Sequence, residues 1–448
     1  MDQTSVKELA EWLVERAKAM GAETAEAHVN HSREFECEVR RGELENLVEA
    51  ESNGATLTVS KNKRRASVQS SDTQRDHLNS LIDKALFLCA YTDVDEAYSL
   101  PPYDRLAFDP PELDLFDAEF NQWDVTKKQA FAIRCEAAMV SFDPRIQSNG
   151  ASFSTTTGYS AMANSLGFSV ALATTAGGVH ASGFAADHVK DGDLNTGRKQ
   201  AGGWSHQVRF ADQLPDPKEL GRMAGADIVR LLGSRKPKTG RYPVFFDATT
   251  ARSLWRHLLT AVNGSSLYRR ESFLLDHLNS DVASSIITIT DDPFIQRGLA
   301  SHPYDDEGVA CRRSEIVSSG TLNTYLLSTY SANKLGMTTT GHAGGTGNII
   351  IQPGHQSEAE ILRQIDHGVY VTSLSGQGVN ISTGDYSRGA QGLWIERGEV
   401  AYPIMEFTLN GNLRHMFKSI RALSREVQPG WTILTPGILI DEMAVSGL

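Results

Sequence analysis

Long apolar runs are missing from this 448-residue chain: no stretch of about 18 apolar residues occurs, so no membrane-spanning helix is expected. Cysteine is scarce, with only Cys37, Cys89, Cys135 and Cys311, and their spacing fits neither a disulfide framework nor a metal knuckle. Free, buried thiols in a reducing compartment are the expectation. Basic charge is also short, with 43 Lys and Arg against 55 Asp and Glu, a net −12, which argues against a non-specific nucleic-acid binder. Local basic clusters such as residues 61–65 read as a hairpin turn and not as a nucleic-acid stripe. No His-Glu-x-x-His, Cys-x-x-Cys, Gly-x-Ser-x-Gly or phosphate-loop pattern occurs. The opening MDQTSVKELAEWLVERAK is charged and amphipathic, without the apolar centre of a secretory signal. A cytoplasmic protein is expected, with no membrane and no direct nucleic-acid partner.

What is present describes an ordinary globular chain, 40% hydrophobic and 22% charged, long enough for two or three domains. Helical periodicity marks 4–20, 76–90, 126–140 and 216–233. Strand alternation marks 24–29 and 34–40, with a hairpin over 55–60 and 66–70. Residues 91–117, rich in Pro, Asp and Tyr, read as a connection. From 146 the strands turn pale, built from Ser, Thr, Gly and Ala (QSNGASFSTTTGYSAMANS, GFSVALATTAGG, VHASGFAADHV), which suits either a solvated sheet face or one turned to a cavity. A linker at 234–240 places the main boundary. The expected fold class is α+β: a mixed domain over 1–234, in two sub-units of about 1–118 and 119–234, then a β-rich domain over 235–448. Strands are expected at 285–290, 308–317, 321–328, 348–352, 368–374, 389–397, 399–404 and 431–440, and further helices at 358–365 and 413–422.

The stretch YPVFFDATTARSLWRHLLTAVNGSSLYRRESFL, 242–274, organises that second domain. A buried strand leads to Asp247 and Thr249, which suit a helix N-cap. Ala251, Leu254, Trp255, Leu258 and Val262 then form an apolar stripe, and Asn263-Gly264 reads as a left-handed C-cap. With YSANKLGMTTTGHAGGTGN (330–348) and GQGVNISTGDYSRGAQGLWIERGEVAYPI (376–404), it resembles the TldD/PmbA proteins, specifically the PmbA (TldE) branch. In the TldD branch this helix carries His-Glu-x-x-x-His, with a cysteine ligand near the C-terminus. Here His257 matches the first histidine, Leu258 the glutamate and Val262 the second histidine, and no cysteine follows Gly430. A zinc peptidase needs three ligands, an open position and a base. The resemblance therefore implies a degenerate motif, no catalytic residue and no cofactor in this chain, and zinc in a partner subunit.

Other groups could act instead. His28 and His31 sit at the end of an expected strand, and His342 in a glycine-rich loop could approach a ligand or simply pack. Arg269 and Arg270 offer guanidinium forks to a peptide carboxylate or a partner, or form a solvated loop. Gly376, Gly378, Asp385 and Arg388 are candidates for substrate or partner binding by strand addition; equally, Asp385 and Arg388 could pair to fix a turn. The resemblance implies a non-catalytic subunit of a cytoplasmic TldD/TldE-type zinc metallopeptidase acting on small or unfolded peptides, its partner a TldD-type catalytic subunit, with a homodimer also possible. A self-standing hydrolase with an unrecognised site at His257 or His342, or a modulator of gyrase or of a toxin–antitoxin pair, are the alternatives.

Overall fold

A computed structural model describes residues 1–187 and 197–448. The first helix, α1 (Gln3–Ala19), starts where the Asp2 carboxylate accepts the Ser5 N–H at 2.9 Å, and buries Val6, Leu9, Ala10, Leu13, Val14 and Ala17. Then come β1 (Thr24–Arg40), β2 (Glu43–Lys61), β3 (Arg64–Ser70) and α2 (Arg75–Tyr91). The two strands expected within 24–40 are one continuous strand, because β2 and β4 flank it along its length and the polar residues between merely face outward. After the 91–117 connection come α3 (Ala118–Gln122), which the sequence did not announce, α4 (Val125–Val140), β4 (Ile146–Asn164), β5 (Ser169–Ala186), β6 (Lys199–Val208) and α5 (Pro217–Val229). The last residues of the expected 179–189 strand, His188 and Val189, lie outside the described residues.

These strands form one antiparallel sheet in the order β3-β2-β1-β4-β5-β6. Odd-numbered residues of β1 all point to the helix side, as alternation requires. Ala25, Ala27 and Val29 pack under α1 and α2; Phe35, Cys37 and Val39 join a separate core with α3, α4 and α5. The pale strands have a packing reason here. A Cβ on Gly177 would sit 2.4 Å from the Phe120 ring, and one on Gly202 3.0 Å from the Ile228 backbone, so glycine lets α3 and α5 approach. At the other end, Ser160 and Met162 do border a cavity.

The remaining chain forms two further sheets. It runs β7 (Gly240–Phe246), α6 (Ala248–Ala261), α7 (Gly264–Tyr268), β8 (Ile289–Asp292), β9 (Ser314–Ser318), β10 (Thr321–Leu322), α8 (Thr329–Leu335) and β11 (Asn348–Ile351). Then follow α9 (Glu358–Leu362), β12 (His367–Ser375), β13 (Asp385–Glu396), β14 (Glu399–Asn412), α10 (Leu413–Lys418), β15 (Ile420–Val427), β16 (Ile433–Leu434) and β17 (Pro436–Ser446). A five-stranded sheet has the order β10-β9-β8-β11-β16. The other, β14-β13-β12-β7-β17-β15, closes through an added β14–β17 pairing (Leu409 opposite Val445), so five strands make a small barrel. The architecture is α+β. Several expected boundaries shift. The 413–422 helix stops at Lys418, since Ile420 pairs with Ile440. The expected strands at 285–290 and 308–317 shorten and shift to β8 and β9, 321–328 shrinks to β10, and residues 323–328 lead instead into α8, capped by Ser328.

The sheets are joined by a buried cation. Arg209 is 8% exposed and has no carboxylate partner among the described residues; its guanidinium donates to the carbonyls of Thr175 (3.1 Å), Leu115 (3.4 Å), Gly298 (2.9 Å) and Leu299 (2.7 Å). Burial lowers its pKa. The fold leaves one long edge uncovered. β3 pairs only with 55–61 of β2, so residues 43–52 are exposed on a free edge, with Leu44, Leu47 and Val48 each about 40% open. Among the described residues, no helix is long and apolar enough to cross a membrane.

Candidate functional site

The sequence YPVFFD fixes where α6 begins. β7 lies between β12 and β17, and the Asp247 carboxylate at its end accepts the Thr250 N–H at 2.7 Å. That sets the helical phase, which buries Ala251, Leu254, Trp255, Leu258 and Ala261. Trp255 stacks on Phe417 at 5.7 Å and donates its Nε1–H to Thr435 at 2.8 Å. Asn263-Gly264 does not cap α6 in a left-handed conformation. The C-cap is Val262, and Asn263 instead N-caps α7 by accepting the Ser265 N–H at 2.9 Å. The asparagine carboxamide wins because a second helix follows at once.

Leu258 and Val262 are fully buried in the largest apolar core, where no water or metal reaches them. His257 lies one step round the helix, half-buried, with its ring edge-on to Tyr386 of β13 at 6.2 Å. Among the described residues, neither His257 Nε2 nor the hydroxyl of Tyr386, itself 1% exposed, has a hydrogen-bond partner. Burial, then the Arg388 and Arg256 charges, hold the His257 pKa down to about 4. The position thus provides one neutral imidazole nitrogen beside two cations and two aliphatic side chains. That donor set does not fit zinc, which takes three converging ligands. Among the described residues no group of three His, Cys, Asp or Glu side chains could hold a metal.

The glycine-rich segment folds back against this helix. Val379 bridges Tyr386, and the Ser387 N–H donates to Gly378 O at 2.6 Å; a Cβ on Gly378 would lie 2.0 Å from Ser387 O, so only glycine fits. Gly376, at φ +80°, has open space around it. Asp385 and Arg388 do not pair with each other. Asp385 accepts from Thr383 Oγ1 (2.7 Å) and Asn412 Nδ2 (3.2 Å), which hold its pKa low, while Arg388 donates to Ser375 O at 3.4 Å. Their side chains diverge because successive strand faces alternate and the two stand three positions apart. Arg269 and Arg270 close α7 in the open; Arg269 leans on Tyr268, 5.6 Å from its ring. The chain beyond them reaches the glycine-rich segment through Phe273, whose N–H donates to Ile381 O at 2.8 Å.

The other candidate histidines, His342, His28 and His31, lie elsewhere. His342 is 6% exposed, with Nε2 on Asp291 Oδ2 and Nδ1 on Thr340 Oγ1, both at 2.9 Å. His28 and His31 lie within β1, not at its end, and point to opposite faces. His28 borders a cavity of about 510 Å³ between β1, β4 and the 299–306 and 343–346 loops, with Asp305 and Asp306 opposite. Tyr386 is the neighbour that sequence reasoning passed over, since nothing local ties a β13 tyrosine to the α6 histidine.

Comparison with known proteins follows the same lines. Models of the PmbA/TldA metallopeptidase match in three parts: domain 1 over residues 25–89, the central domain over 118–232 and the C-terminal domain over 239–447. The chain is 36% identical to the metalloprotease PmbA homolog of Haemophilus influenzae, across 99% of this chain and 97% of that one. It is 35% identical to metalloprotease PmbA of Escherichia coli O157:H7, across 96% and 93%. Among solved structures, a Bacteroides thetaiotaomicron protein named as a candidate modulator of DNA gyrase superposes with a TM-score of 0.92 at 27% identity, covering 99% of each chain. TldE from Thermococcus kodakarensis shares the fold, with a TM-score of 0.85 at 21% identity over 98% of this chain and 100% of that one.

Proposed function

This chain belongs to the PmbA/TldD metallopeptidase family, and from that premise we propose that it is the non-catalytic subunit of a cytoplasmic two-component zinc peptidase. Its TldD-type partner carries the zinc and the general base, and this subunit helps enclose small or unfolded peptides. The observation that carries the reading is the pair Leu258 and Val262, fully buried where the resemblance places a glutamate and a second histidine. An aliphatic side chain can neither ligate a metal nor take a proton from water.

The free edge of β2 supports a partner of another kind than itself. It presents unpaired backbone for strand addition, and Glu43, Glu45, Glu49 and Glu51 set like charges against a second copy. Arg388 and the glycine-rich segment would then face the peptide or the partner. Metal analysis and peptidase assays of the lone chain, and of the chain with its partner, test the reading. The expected result is no stoichiometric zinc and no cleavage alone, with cleavage appearing on addition of the partner. One zinc per isolated chain together with peptide turnover refutes it, and loss of that turnover on His257→Ala or His342→Ala would then favour the self-standing hydrolase.

A further inference from the structure

A second cavity, about 470 Å³, opens at the seam between the helix-covered end of the first sheet and the barrel. Its volume is in the range that holds small ligands. One wall is apolar, made by Trp204 of β6 with Leu220 and Met223 of α5. The floor comes from the barrel side, with Asp247 at the start of α6 and Glu358 at the start of α9; His206 of β6 closes it.

The floor groups have acceptors to spare. Asp247 is 8% exposed; its Oδ1 takes both Thr250 donors, whereas Oδ2 accepts no hydrogen bond among the described residues. Glu358 Oε1 accepts the Tyr370 hydroxyl at 2.9 Å, and its Oε2 likewise accepts nothing. His206 is 9% exposed, and among the described residues neither ring nitrogen has a partner; it packs on Gly430, where a Cβ would come within 2.6 Å of the ring. Burial lowers the His206 pKa, so the ring is neutral at pH 7 and presents a lone pair. Burial also raises the Asp247 and Glu358 carboxyls. One cation, Arg230, also lines the cavity, and its charge partly offsets the effect of burial on both carboxyls; it pairs with Asp227 at 2.7 Å, and its Nε has no partner among the described residues. These acceptors line the cavity without a protein donor, so a ligand that enters can donate to them. A metal ion is a poor answer, since these groups form no metal-holding set and one wall is apolar. A primary ammonium supplies three N–H donors and one positive charge.

We propose that this cavity binds a small primary ammonium on an apolar body, its charge between Asp247 and Glu358 and its apolar part against Trp204, Leu220 and Met223. An apolar amino acid and the free N-terminus of a short peptide share this chemistry. The site is independent of the zinc-motif positions and of the partner assigned above. Titration of the full chain at pH 6.5, followed by Trp fluorescence and thermal unfolding, tests it with L-leucinamide, N-acetyl-L-leucinamide and the tripeptide Leu-Gly-Gly. Leucinamide is expected to raise Tm by a few degrees at millimolar concentration, and its acetylated form to leave Tm unchanged. Glu358→Gln, which keeps an acceptor for Tyr370, should weaken leucinamide at least tenfold, and Met223→Trp, which narrows the cavity, should abolish the effect. Binding of Leu-Gly-Gly as tightly as leucinamide identifies a peptide end as the source; binding of leucinamide alone identifies the free amino acid. Equal binding of the acetylated form, no leucinamide binding at 10 mM, or unchanged affinity in both variants overturns the proposal.

Discussion

Replacing His257 by Leu removes the titrating group at the family's motif position while leaving an apolar side chain of similar reach. Burial, with the Arg388 and Arg256 charges added to it, keeps the folded-state pKa at about 4, against about 6.5 in an unfolded chain. Between those values the unfolded chain binds the proton more readily than the folded one. Stability is therefore complete above pH 6.5 and declines as pH falls toward 4. The gap corresponds to about 3 kcal/mol at the outside. Because the ring is only half-buried, water screens part of it, leaving about 1–2 kcal/mol. Urea unfolding of both proteins between pH 4 and 7.5 reads this directly: the wild type should lose about 1–2 kcal/mol more than His257→Leu on going from pH 7 to pH 4. The His257 Cε1 proton should titrate near 4 by NMR. A midpoint at 6.5 or above, or parallel pH profiles for the two proteins, would refute the argument that this imidazole is half-buried beside two cations.

Other perturbations follow from the packing. Leu258→Glu places a carboxylate in a core position with no exposure, and should cost at least ~3 kcal/mol in urea unfolding while creating no zinc site by metal analysis. Arg209→Met strips the hydrogen bonds that tie the first sheet to the 298–299 turn; about 3 kcal/mol should be lost, and a loss under 1 kcal/mol would show the guanidinium to be dispensable. Gly177→Ala drives a methyl into the Phe120 ring at a cost of about 1–3 kcal/mol. Adding Phe120→Leu should recover part of that loss, so a double-mutant cycle with no coupling would place the clash elsewhere.

How much was legible in the sequence depended on how local the signal was. The periodic helices α1, α2, α4 and α6 are written in their apolar spacing, and the 55–70 hairpin in its alternation and basic turn. The short helices α3, α7 and α8 were not, because their caps operate over one or two turns that composition does not distinguish from loop. Leu413–Lys418 and Ile420–Val427 share an apolar texture, and only the pairing with β17 makes the second a strand. In the site, the aliphatic replacements at 258 and 262 could be read residue by residue. The contact of His257 with Tyr386, the separate partners of Asp385 and Arg388, and the free acceptors of Asp247 and Glu358 arise between distant segments, where no spacing rule applies.

The continuity of the first sheet has a consequence for dissecting the molecule. Two family models, 25–89 and 118–232, fall on either side of the β1–β4 seam, yet those strands pair from Glu26 opposite Asn164 to Val39 opposite Ala151. A fragment cut in the intervening connection would bare a long ladder of backbone donors and acceptors on each piece, inviting aggregation. The smallest piece that can be expressed, swapped or inherited intact is the whole sheet with its helices, so chimaeras between relatives should exchange it as one block.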